Sequence, residues 1–271
     1  MQNSILSLPA ELYQNRRLVL KLAKNDFKTR YAGSYFGIFW AFVQPVITIL
    51  VYWFVFSVGL RATTGDAGLP FVLYLLAGIV PWFFFQDALT GGTASLLEYN
   101  YLVKKVVFNI HVLPVVKIMS GMFVHGFFVL FTILLYMAYG RFPDWYYLQI
   151  IYYSFCMLIL VLGLCYLTSA VVVFFRDLSQ IIGIALQVGV WLTPIMWNAE
   201  QSLANHPTIH TILKLNPVYY IVSGYRDTFI WKKWFFEKPL WTLYFWAFTI
   251  LFFLIGNGVF KRLRVHFADV L

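Results

Sequence analysis

Six stretches of this chain run for 20 residues or more without an Asp, Glu, Lys or Arg: 31–60, 67–86, 118–140, 145–175, 178–199 and 239–260. The next longest, 201–213, has only 13. An α-helix rises about 1.5 Å per residue, so about 20 apolar residues cross the ~30 Å hydrocarbon core of a bilayer. Charged residues make up 11% of the chain, against about 25% in soluble domains. The sequence therefore predicts an all-α integral membrane protein, one domain over 1–271 with six transmembrane helices. A β-barrel would show alternating segments of about ten residues instead.

The first 30 residues carry Arg16, Arg17, Lys21, Lys24, Lys28 and Arg30, and no compact apolar core ending in a small-residue cleavage site. The first spanning helix is expected to serve as its own insertion signal. Six crossings put both termini on one side, which then holds 13 of the 20 Lys and Arg, against 7 on the other. Basic residues accumulate in the cytoplasm, so both termini are expected there. The net charge of +9 then reflects topology and anionic lipid rather than nucleic acid. Cys156 and Cys165 fall nine residues apart in one predicted helix and are expected to be buried free thiols.

Three pieces outside the six runs are informative. Over 11–31, Arg17, Lys21, Lys24 and Lys28 share a narrow arc of a helical wheel, with Leu12, Val19, Ala23, Phe27 and Tyr31 opposite. This predicts an amphipathic helix at the cytoplasmic interface, acting as a surface anchor or as a docking face for a partner. The segment 96–114 mixes charge with apolar residues at helical spacing and ends at Pro114. A short helix carrying Leu97, Tyr101, Val107 and Phe108 can insert into a groove of a cytoplasmic subunit, or lie at the headgroups. Arg176 and Asp177 predict a tight cytoplasmic turn.

The third piece, 201–232, includes "ILKLNPVYYIVSGYRDTFIW". Nine Leu, Ile, Phe or Val residues in 208–230 favour insertion by about 4.5 kcal/mol, while three charges cost about 9. Pro217 also breaks the segment, leaving a longer piece of about 20 Å, short of the core. Two short helices that dip in on the outer side and return satisfy both constraints, with an amphipathic hairpin on the outer surface as the alternative. Irregular backbone at membrane depth is tolerated where protein buries it or water reaches it.

No residue set points to catalysis or metal binding. The chain has no G-x-x-x-x-G-K-[ST] phosphate loop, so ATP and its Mg would be bound by another subunit. The predicted helices hold no carboxylate, with Asp87 at the end of the second, which argues against an ion-driven mechanism. His125 stands alone in the third helix, where a packing role is the simpler one. Deep aromatics, among them Phe36, Trp40, Tyr52, Trp53, Tyr152, Tyr153, Trp191 and Trp246, either pack or present stacking faces to a bulky, hydroxyl-rich cargo.

"RYAGSYFGIFWAFVQP", "LLAGIVPWFFFQDAL", "VFFRDLSQIIGIALQVGVWLTPI" and "LNPVYYIVSGYRDTF" occur in that order. Together they resemble the membrane subunits of polysaccharide-exporting ABC transporters, the teichoic acid, O-antigen and capsule exporters, from about residue 16 to the terminal "FADVL". "VYWFVFSVGLRA" resembles the teichoic acid branch most. The resemblance implies a homodimer forming a passage for a lipid-linked polysaccharide, with two separate ATP-binding-cassette ATPase subunits docked below. It implies ATPase contacts at the basic helix (Arg17, Lys21, Lys24, Lys28) and at Glu98, Tyr101, Lys104, Lys105 and Phe108. Phe36, Trp40, Tyr52, Tyr152 and Trp191 would line the passage. Asn216, Pro217, Tyr219, Tyr220 and Arg226 would belong to an outer re-entrant gate. The rival readings are a permease of the same architecture for a drug or small lipid, a membrane-embedded glycan transferase and a non-transporting scaffold.

Overall fold

A computed structural model describes residues 13–62, 64, 69–104 and 109–271. The described residues are helices and connections, with no strand. The amphipathic segment forms α1 (Arg16–Arg30). A helical run Gly37–Gly59 follows, with α2 (Trp40–Trp53) at its centre. Then come α3 (Phe71–Glu98), α4 (Val112–Ala138) and α5 (Gln149–Val172). Next are α6 (Leu178–Leu192), α7 (Pro207–Lys214), α8 (Pro217–Arg226) and α9 (Pro239–Leu263).

Among the described residues, five helical runs are long and apolar enough to cross a bilayer: those of α2, α3, α4, α5 and α9. The fifth charge-free stretch, expected to span as 178–199, yields only the 15 residues of α6, about 22 Å long. Pro194 explains the early stop, since proline disfavours helical backbone in the residue before it. Thr193 has left the helix, with ψ at 114°.

The second expected span ends late instead. A run of 67–86 was predicted, but α3 continues to Glu98 and carries Asp87 inside it. A charge stops a membrane helix only where it lacks a partner, and Arg30 of α1 pairs with Asp87 at 2.7 Å. The connection between the second and third spans thus begins at 99 rather than 87, and its described residues include a turn of helix at Asn100–Val103.

α3 is the hub. Its apolar stretch is 78% buried inside the chain, against 11% for the run containing α2. It packs on α4, α5 and α8, while α5 carries α9 on its other side. α5 and α9 meet backbone to backbone. A Cβ on Gly256 would lie 2.3 Å from the carbonyl oxygen of Gly163, so the approach requires glycine, as small residues permit between membrane helices. Cys156 and Cys165 are free and buried.

Candidate translocation groove and the helices that hold it

A groove of about 470 Å³ opens between α2, α3, α4 and α6. Along α3 it reaches from Ile79 to Thr90, about 17 Å of helix rise. Its polar residues are unusual for apolar helices. Gln44 of α2, Gln86 of α3 and Gln187 of α6 line it, and all three are exposed. An amide facing lipid would lose its hydrogen bonds to water without replacement. Three of them converging from three helices mark a surface that meets water or a polar ligand. Thr48, Thr90 and Asp87 add hydroxyls and a carboxylate, and Trp40, Tyr52 and Trp82 add ring faces.

Of the aromatics expected along a passage, Trp40 and Tyr52 line this groove. Phe36 and Trp191 are exposed but do not line it. Tyr152 packs elsewhere, with its ring 4.2 Å from that of Phe235. Its hydroxyl meets Tyr220 at 3.1 Å and accepts from the Trp246 indole.

One end of the groove is held by α1. Val19, Ala23 and Asp26 form its inner stripe, and the two apolar residues pack on Val112 and Val116 of α4. Arg17, Lys21, Lys24 and Lys28 are all exposed on the opposite side. Asp26 is only 3% exposed and sits in an ionic cluster. Lys117 of α4 pairs with it at 2.6 Å and also with Glu98. The Tyr99 hydroxyl donates to it at 2.7 Å, and Arg30 approaches at 3.7 Å. Burial pushes the Asp26 carboxyl up, but hydrogen bonds from Lys117 and Tyr99 and the Lys117 charge outweigh it, holding the carboxyl below its usual range. Charges therefore alternate along Asp87, Arg30, Asp26, Lys117 and Glu98, from groove wall to the end of α3. Tyr101 and Lys104 are exposed just beyond, and Lys105, Val107 and Phe108 lie outside the described residues.

The N-terminal half of α3 is held by the broken segment, which forms the two expected short helices, α7 and α8. Asn216 caps α8, its side-chain oxygen accepting from the Val218 amide at 3.0 Å. Its amide nitrogen donates to Thr193 at 2.8 Å. Pro217 occupies the first turn of α8, where a missing N–H costs nothing. Tyr219, Tyr220 and Arg226 are buried in the protein. The Arg226 guanidinium donates to the carbonyls of Pro194 and Ile195, each at 2.6 Å, and lies over the Tyr74 ring at 3.8 Å. These two carbonyls belong to the non-helical bend after α6, and Arg226 satisfies both. Beside it, the Tyr225 hydroxyl is 3.0 Å from His125 and 2.8 Å from Ser154. His125 also lines the groove, so the broken segment is tied to one groove wall, α4, and to the bend that follows α6.

Asp26, Arg30, Lys117 and Asp87 were missed as a unit in the sequence. One signal was present: Asp26 shares the apolar arc of Val19 and Ala23, where an acid requires a partner. Nothing local could identify Lys117, 91 positions away, as that partner.

A long-helix membrane bundle with a polar, ring-lined groove and an appended amphipathic helix is the architecture of a multi-pass permease. Residues 17–230 match the ABC-2 type transporter family, and the chain belongs to that family. It is 27% identical over 265 residues to the "O-antigen export system permease protein RfbA" of Myxococcus xanthus, covering 98% of this chain and 99% of the relative. A protein of the same name from Klebsiella pneumoniae is 26% identical over 259 residues, covering 94% and 95%. A second from Klebsiella pneumoniae is 25% identical over 260 residues, with the same coverage.

Proposed function

We propose that this chain is the permease subunit of an ATP-driven exporter that moves a lipid-linked cell-surface polysaccharide across the bacterial plasma membrane. The observation that carries the proposal is the groove, where three exposed glutamines from three apolar helices face two aromatic rings, Trp40 and Tyr52. Ring faces stack on sugar carbons while amides exchange hydrogen bonds with hydroxyls. A permease for an apolar drug or small lipid has no use for such a lining. The names of the three relatives support polysaccharide cargo.

Two copies would pair across the weakly buried faces of α2 and α6, so that two grooves enclose one passage. α6 would make the sixth crossing together with the bend after it, leaving both termini in the cytoplasm. Two separate ATPase subunits, carrying ATP and Mg, would dock on the basic face of α1 and on the turn around Tyr101 and Lys104. The ionic cluster would pass their movement to Asp87 in the groove wall. The test is a Trp40→Ala/Tyr52→Ala double variant produced in the native host at normal membrane levels. Loss of both stacking faces lowers surface polysaccharide about tenfold, with lipid-linked polymer accumulating inside. Surface polysaccharide at wild-type levels would remove the groove as the path.

A further inference from the structure

We propose that the groove accepts an uncharged glycan and discriminates against polymers with phosphate or carboxylate in the repeat, a selection that rests on the groove being the glycan path. The chain has 20 Lys and Arg, yet none lines the groove among the described residues. The one carboxylate there is Asp87, bridged by Arg30 at 2.7 Å. Arg30 also approaches Asp26 at 3.7 Å, so two carboxylates already face the one cation at this end of the groove. Amides and hydroxyls of Gln44, Gln86, Gln187, Thr48 and Thr90 make up most of the remaining polar lining, and the His125 ring beside them is engaged by the Tyr225 hydroxyl at 3.0 Å.

Amides and hydroxyls both donate and accept, which suits sugar hydroxyls that do the same. A phosphodiester or carboxylate only accepts, and out of bulk water it needs a cationic donor to offset desolvation. No lysine or arginine lines the groove to supply one, and the nearest cation, Arg30, is already bridged to Asp87 at 2.7 Å. Pairing two copies does not change this, because the second copy brings the same residues: another Asp87 and no cation. The cations of α1 are abundant but point away, with Arg17, Lys21, Lys24 and Lys28 exposed on its far side. The groove chemistry therefore favours a neutral chain over a polyol-phosphate one, against the leaning of "VYWFVFSVGLRA" toward the teichoic acid branch.

The test uses the full-length permease in nanodiscs, titrated with maltoheptaose and with a glycerol-phosphate oligomer of similar length. The readout is the Trp40 fluorescence, isolated by subtracting a Trp40→Phe variant. We expect half-saturation by maltoheptaose at a concentration at least about tenfold lower than by the phosphate oligomer. Gln86→Lys and Gln187→Lys, both at exposed positions that tolerate a longer side chain, should shrink or reverse that ratio. Asp87→Asn should shrink it less. Equal or tighter binding of the phosphate oligomer to the unaltered protein overturns charge selection while leaving the groove as a glycan path. An unchanged ratio in both lysine variants also overturns it. Binding of neither probe refutes the glycan path itself, and the selection falls with it.

Discussion

Lys117→Met isolates the link between α1 and the bundle. Lys117 is 5% exposed and Asp26 is 3% exposed, so the substitution leaves a buried carboxylate without its cation. Removing one partner of a buried pair costs about 3–5 kcal/mol. Here Asp26 keeps the Tyr99 hydroxyl at 2.7 Å and Arg30 at 3.7 Å, which reduces the cost to about 2–3 kcal/mol. The apolar packing that remains on α1 is modest, with Val19 and Ala23 buried and Leu22 and Phe27 half-buried. The cost therefore falls on docking of α1 rather than on the whole fold. A detached helix of 15 residues is marginal by itself and frays. Amide exchange across Arg16–Arg30 should then accelerate about 30- to 150-fold while α3 exchange stays unchanged. The double variant Asp26→Leu/Lys117→Met removes both charges and should exchange at least tenfold more slowly than the single variant. Exchange in Lys117→Met within about threefold of wild type would refute the cluster as the element holding α1. A double variant no better protected than the single one would refute the charge argument.

Two further outcomes follow from the packing. Arg226→Met leaves two buried carbonyls without donors and should cost roughly 3 kcal/mol, with Arg226→Lys recovering only part because an ammonium lacks the planar fork that bonds both carbonyls while lying over the Tyr74 ring; an unchanged thermal midpoint in detergent for Arg226→Met would contradict the latch. Gly256→Ala places a Cβ 2.3 Å from the Gly163 carbonyl, whereas Gly258→Ala meets nothing within 4 Å. The first should lose about 1–3 kcal/mol and the second should be neutral or better, and equal thermal midpoints would show that α5 and α9 do not meet there.

What the sequence determined by itself was whatever depends on composition along one segment. Long charge-free runs, the basic arc of α1 and the break at Asn216–Pro217 are local statements. Transfer energy, helical periodicity and the missing proline donor act there without reference to the rest of the chain. Pro194 did not belong to that class, since Pro45 and Pro81 also lie in charge-free runs and their helices continue through them. Tertiary structure decided what depends on partners. Asp87 could sit inside a membrane helix because Arg30, 57 positions earlier, offsets the cost of a charge there. Arg226 is buried where it meets the carbonyls of Pro194 and Ile195, more than 30 positions earlier. Gln44, Gln86 and Gln187 read individually as polar residues in apolar runs, and only packing brought them to one surface. The physical reason is the same in each case: in a low-dielectric interior a polar group's energy is set by its partner, and a partner distant in sequence is found only when the chain is folded.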